Sequence, residues 1–334
     1  MKFLKRIKKI AIVILGLFVL LLIAGYIFES ISRNKAEKII PTGGFADIDG
    51  HRLHYVKKGT GGPTIVFETA FDPAGHLQWY NIQQTFPSAV TTVTYDRAGI
   101  LWSERGPNPK SGEKMAEELH RLLEKIQAPK PYILVGHSFG GTLARFFVQQ
   151  YRADVAGLVL VDSQCPDDEK YLSDGLYKMV NKGLPGNFLK FANRFGLARL
   201  MFDNMFPPGE AYQYQNSIMP ALLHKSAYGI LEEQDQMATI KKEAAAIRSF
   251  DSLPLYVISA GDTSRYDGLI KDEKLKREML NAWDTMQQDM LKLSSVSKYI
   301  PVPNSGHYIN QEQPAVIENA IKEMLLYIQG KAGK

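Results

Sequence analysis

The chain has 334 residues, 45% of them hydrophobic and 22% charged, which is ample apolar content for a buried core and excludes a disordered protein. Its formal charge of +5 is unevenly placed: the first forty residues hold eight Lys/Arg and two acids, a net +6, so the rest of the chain sums to −1 and offers no electrostatic footprint for nucleic acid. Cys165 is the single cysteine, which excludes an internal disulfide and any multi-cysteine metal site and reads as a small core hydrophobe.

Ile10 to Phe28, IAIVILGLFVLLLIAGYIF, runs without a charge. As a helix it reaches roughly 28 Å at about 1.5 Å per residue, close to the hydrocarbon thickness of a bilayer. Lys5, Arg6, Lys8 and Lys9 precede it and should hold the N-terminus in the cytoplasm while the body of the chain crosses. A cleaved signal peptide and a buried helix are the competing readings, but a signal ends in a small-x-small site, and IAGYIFES offers none. Residues 1–28 are therefore expected to be a basic cytoplasmic stub and a single-pass signal anchor in the cell membrane. Residues 29–43 mix charges with Ser, Asn, Pro and Gly and read as a linker.

The body opens on a hairpin pattern, FADI and HRLHYVK around Asp49-Gly50. TIVFE (64–68), AVTTVTY (89–95), YILV (132–135), VAGLVLV (155–161) and LPLYVIS (253–259) have the composition of strands buried on both faces. Between them lie helix-period segments; Met115, Leu119, Leu122, Leu123 and Ile126 form one stripe of an amphipathic helix. Strands alternating with helices predict an α/β class with a mostly parallel sheet covered on both sides. Residues 166–250 break the alternation: no strand pattern, and Phe, Leu, Met and Tyr at helical spacing, as in NFLKFANRFGLARLMF. They read as a helical cap inserted into a core formed by residues 44–165 and 251–330.

Gly136-His137-Ser138-Phe139-Gly140 sits where a strand runs into a helix, TLARFFVQQY, so Ser138 is predicted at a strained strand-to-helix bend. Side chains two residues before and after such a Ser would collide with neighbouring elements, and glycine at both positions removes the collision. The hydroxyl is then exposed beside a helix N-terminus, whose N–H groups favour a developing oxyanion. A serine is a weak nucleophile and needs a base, and the base needs an orienting acid. Of the seven His, His51 and His54 fall in a strand on opposite faces, His120 and His224 lie in helical stretches, His76 sits in a loop that could line a pocket, and His137 adjoins Ser138 with a diverging side chain. His307, in the polar loop VPNSGHYINQEQP after the last strand KYIPV, is the candidate base. For the acid, Asp262 just past a strand end in YVISAGDTSRYD is the first choice, with Asp162, ending the strand LVLVDSQ, and Asp267 as alternatives.

The stretches VGHSFGG, ISAGD, NSGHYI and TYDRAGILWSERG resemble the α/β-hydrolase superfamily over about residues 44–330. The resemblance implies an eight-stranded, mainly parallel sheet with helices on both faces, a cap after the sixth strand, and no metal or organic cofactor. ETAF (68–71) replaces the usual His-Gly after the third strand; aligning strand ends puts the backbone N–H of Phe71 beside that of Phe139 as the oxyanion donors. Leu101 stands where glycine is common, and Asp96 and Arg97 are expected to hold loops together. The implied activity is a serine hydrolase cleaving a small-molecule carboxylic ester through an acyl-enzyme, with a hydrophobic acyl or alcohol group suggested by the cap. Ser138, Asp262 and His307 are the expected triad. An aminopeptidase or amidase, anchoring an amine on Glu68, Asp72 or a cap acid, and a ligand-sensing or partner-binding protein that retains the triad are the alternatives.

Overall fold

The computed structural model describes residues 2–202 and 205–332. A long helix α1 (Lys2–Ala36) leads into β1 (Gly44–Asp47), β2 (Arg52–Lys58), β3 (Thr64–Glu68), α2 (Tyr80–Gln84), β4 (Thr92–Tyr95), α3 (Gly112–Lys125), β5 (Tyr132–His137), α4 (Phe139–Gln150) and β6 (Val155–Val161). Four helices follow, α5 (Asp174–Val180), α6 (Gly186–Arg194), α7 (Leu197–Met201) and α8 (Gln213–Ala245). The chain then returns to the sheet through β7 (Leu255–Ala260), α9 (Glu273–Asp289), β8 (Ser297–Val302), α10 (Ile309–Glu312) and α11 (Pro314–Ala332).

The eight strands form one sheet in the order β1-β2-β4-β3-β5-β6-β7-β8. β2 pairs antiparallel with β1 and β4, and every later pairing is parallel. Strand alternation sends neighbouring side chains to opposite faces. In β5, Tyr132 and Leu134 join α3, α4 and α9 in one core, while Ile133 and Val135 join Trp79, Ile82, Ile317 and Met324 in the other. Leu158 and Leu160 of β6 part from Val159 and Val161 in the same way. Burying one such side chain contributes about 1.5–3 kcal/mol, so the central strands anchor both layers.

A third apolar cluster lies over the C-terminal edge of the sheet, where Leu77, Ile100, Leu101 and Trp102 meet Ala192, Leu222, Leu223 and Ile230 of the helical insertion. A buried ionic clamp reinforces it: Arg97, after β4, donates to both carboxylate oxygens of Glu233 on α8 at 2.8 and 2.9 Å. Leu101 adopts φ 43° in the left-handed region where glycine is favoured, and its N–H donates to Ser226 Oγ on α8 at 2.9 Å.

α1 extends beyond the charge-free run. Residues 29–36, expected as part of a loose linker, continue the helix because they have partners: Glu29 takes Arg33 Nε at 2.8 Å and Arg199 Nε at 2.7 Å, and Ala36 is buried.

Candidate active site

Ser138 follows β5 and precedes the first turn of α4, with φ 53° and ψ −121°. The bend depends on the flanking glycines. A Cβ on Gly136 would lie 2.7 Å from Gly140 O, and one on Gly140 would lie 2.5 Å from Glu68 O, separations no side chain tolerates. The turn is tied to β6 by Ser138 N–H donating to Val161 O at 3.1 Å and Gln164 N–H donating to Ser138 O at 3.0 Å.

His307 lies on the loop after β8. His137 Nε2, 2.8 Å from His307 O, donates to that carbonyl and holds the loop against the residue preceding Ser138. Burial, then the neighbouring His307 charge, push the His137 pKa down to about 3, so its ring is a neutral strut. The sequence sets His137 aside as a base for its diverging side chain; its contact with His307 O is visible only in three dimensions.

The acid opposite His307 is Asp162. Its Oδ2 accepts from His307 Nδ1 at 2.6 Å, whereas Asp262, the first choice from sequence, is turned away and caps a short 3₁₀ turn by accepting the Ser264 N–H at 2.8 Å. Asp267, the third candidate, pairs with Lys276. The two backbones part once the strand ends are packed. Asp262 begins a turn whose N–H groups need an acceptor, and its side chain is the nearest one. Asp162 has φ 41° at the end of β6, and this backbone carries its carboxylate into the gap between β6 and β7. There Oδ1 accepts from Ala260 N–H at 3.0 Å and Trp283 Nε1 at 2.7 Å, and Arg265 Nη1 lies 2.7 Å from Oδ2. Burial works to raise the Asp162 pKa, but the Arg265 charge and the His307 hydrogen bond outweigh it and hold the group at about 2. An ionised Asp162 fixes the proton of His307 on Nδ1 and leaves Nε2 as the acceptor. Arg265 Nη2, 3.0 Å from Nδ1, then acts as a nearby positive charge.

Phe71 and Phe139 line the same cavity as Ser138, their rings edge-on at 6.3 Å. The segment before Phe71 is held by Arg97, which donates to Thr69 O at 2.7 Å and Ala70 O at 2.8 Å. Arg97 also meets Glu68, whose other oxygen takes the Tyr95 hydroxyl at 2.5 Å, so Glu68 is committed to this network. The cavity over Ser138 measures about 1010 Å³; Gln164, Tyr177, Met237, Lys182 and Lys241 of the surrounding loops and helices face it. A second, apolar cavity of about 300 Å³ shares Phe71 and Leu184 with the first and is walled by Leu189, Phe202, Leu223 and Ile230.

His76 lines neither of these two cavities. It is fully buried, and its Nδ1 donates to Asp96 Oδ1 at 2.8 Å, as His54 Nδ1 donates to Asp96 Oδ2 at 2.8 Å. Burial opposes ionisation of Asp96, yet the two imidazoles hold it well below the usual carboxylate range. His54 Nε2 also faces Thr42 O at 2.6 Å. These three side chains are near enough to share an ion, but their facing atoms are already joined by hydrogen bonds that fasten β2, β4 and the turn at Gly75–Trp79.

A family profile described as alpha/beta hydrolase fold matches residues 63–226. The chain is 23% identical over 282 residues to the uncharacterized protein YqjL of Bacillus subtilis (strain 168), spanning 83% of this chain and 89% of that one. Among solved structures it is similar to a thermophilic esterase from Thermogutta terrifontis (TM-score 0.57, 20% identity, 85% of this chain and 97% of the other). It is also similar to the epoxide hydrolase CorEH (TM-score 0.64, 18% identity, 86% and 99%). With the sheet order and the bend at Ser138, these likenesses define an α/β-hydrolase fold.

Proposed function

We propose that the protein is a membrane-anchored serine hydrolase that cleaves carboxylic esters through an acyl-enzyme. The observation that carries this reading is the Asp162–His307 pair at 2.6 Å, set on the loop that His137 ties to the Ser138 bend. His307 Nε2 takes the hydroxyl proton as Ser138 Oγ attacks the ester carbonyl, and Asp162 stabilises the imidazolium. The N–H groups of Phe71 and Phe139 bind the oxyanion; one such donor contributes about 3–4 kcal/mol to the barrier reduction. His307 returns the proton to the departing alcohol, then activates water to release the acid. A serine hydroxyl at the bend, beside the N-terminus of α4, favours acyl transfer. The apolar cavity sharing Phe71 and Leu184 with the site favours a hydrophobic acyl or alcohol group.

Anchoring rests on α1, where an 18-residue apolar window within Phe3–Ala36 has a mean hydropathy of 3.0 and none of it is buried. The basic residues before it favour a cytoplasmic N-terminus and an extracytoplasmic hydrolase body. A fluorophosphonate probe should label the wild type and not Ser138→Ala, and aryl esters of medium and long acyl chains should turn over faster than short polar ones. Labelling of Ser138→Ala would overturn the nucleophile, and a preference for short polar acyl groups would overturn the substrate class.

A further inference from the structure

The end of α1 is packed into the corner between α6 and α7. A Cβ on Gly25 would lie 2.6 Å from Phe195 O, and one on Gly196 would lie 3.3 Å from the Phe28 ring, so the two backbones approach as closely as glycine allows. Arg33 Nη2 donates to Asn193 O at 2.9 Å, and Arg199 closes the corner on Glu29. Gly25 and Phe28 belong to the last turn of the charge-free run. Whatever depth that turn occupies, Phe195 and Gly196 occupy it too.

The outer faces of α6 and α7 match such a position. Phe188 and Phe191 on one helix and Leu197 and Leu200 on the other, each pair three residues apart, are 49%, 38%, 39% and 76% exposed. From Gly175 to Phe202 the chain carries five basic residues and no acid, and Lys190 and Arg194 stand exposed beside the apolar face. An apolar face flanked by cations is the composition of a helix lying in an anionic lipid interface, its long side chains reaching the headgroups. The same α6 turns Leu189 inward to wall the apolar cavity.

We infer that the outer face of α6 and α7 is seated in the leaflet that α1 enters, so that a bilayer-borne ester reaches the apolar cavity across a single layer of helix. The inference rests on the proposed membrane anchoring of α1 and extends it to the cap.

The test uses the full chain in vesicles of phosphatidylethanolamine and phosphatidylglycerol. Cys165, which is buried, is replaced by Ala, and bimane is attached at Leu200→Cys, Leu17→Cys or Glu113→Cys. Nitroxide on the lipid acyl chains should quench the probes at 17 and 200 and spare the one at 113. A quenched probe at 17 with a water-exposed probe at 200 overturns the cap's seating while leaving the anchor intact; an unquenched probe at 17 overturns both. Quenching requires no turnover and so stands apart from the fate of the Ser138 reading. In a second arm, Leu197→Glu with Leu200→Glu should lower hydrolysis of a long-chain ester embedded in vesicles by about tenfold while sparing a soluble short-chain aryl ester. Unaltered hydrolysis of the embedded ester overturns the inference.

Discussion

Two buried aspartates flank the bend at Ser138 and meet opposite fates. Asp162, at the β6 end, is held ionised near 2, while Asp72, just after Phe71, is pushed up to about 7. Both are deeply buried, so burial alone does not separate them. The donors do. Asp162 has a guanidinium, an imidazole, an indole N–H and a backbone N–H; among the described residues Asp72 has the Ala74 N–H at 2.8 Å and the Gln78 amide at 2.5 Å, with Arg97 helping from farther off and Glu233 opposing. A buried carboxylate stays ionised where charged donors face it, and the fold supplies them at one edge of the bend and withholds them at the other.

The largest effect is expected at Ser138 itself. Ser138→Ala should abolish ester turnover with the fold intact, read by single-turnover kinetics and circular dichroism. Next, Asp162→Asn should lower kcat by about 10³–10⁴-fold, the scale of losing the orienting acid of a serine triad, while Asp262→Ala should change kcat less than about threefold and cost about 1 kcal/mol as a lost cap. Equal effects of the two would erase the assignment of the acid. Arg97→Gln leaves Glu68 buried without its guanidinium and Glu233 with the more distant Lys110 at 3.9 Å, and should cost about 3–5 kcal/mol in urea denaturation.

The smallest effect sharpens the comparison. Because folded Asp72 keeps its proton to higher pH than the unfolded chain, the folded state binds more protons between 3.8 and about 7, and this group's contribution to stability falls as pH rises through that window. Asp72→Asn should lack that decline when Tm is followed from pH 4 to 8, and a slope identical to wild type would show that Asp72 is ionised in the folded protein.

Much of this arrangement was legible in the chain. The strand runs and the amphipathic stripe through Met115 and Leu123 marked the sheet and its flanking helices, because burial on one or two faces imposes a period on the residues themselves. Ser138 between its glycines, and His307 in a loop after the last strand, were readable for a similar reason: a strained bend restricts its neighbours to particular residue types. The acid was not. Asp162 and Asp262 both follow a strand end, and nothing local distinguishes them. His76 likewise read as a loop residue, and its burial against Asp96 depends on β4, twenty residues away.

Local composition, then, sufficed to define the elements, the bend and the apolar N-terminal helix, since each depends on neighbours within a few residues. Which carboxylate meets His307, which cation holds Glu233, and where α1 comes to rest were decided only when β6, β7, α8 and α9 packed together. Those contacts join residues more than a hundred positions apart, and their strength is set by burial and by the direction of individual donors, neither of which is encoded in spacing along the chain.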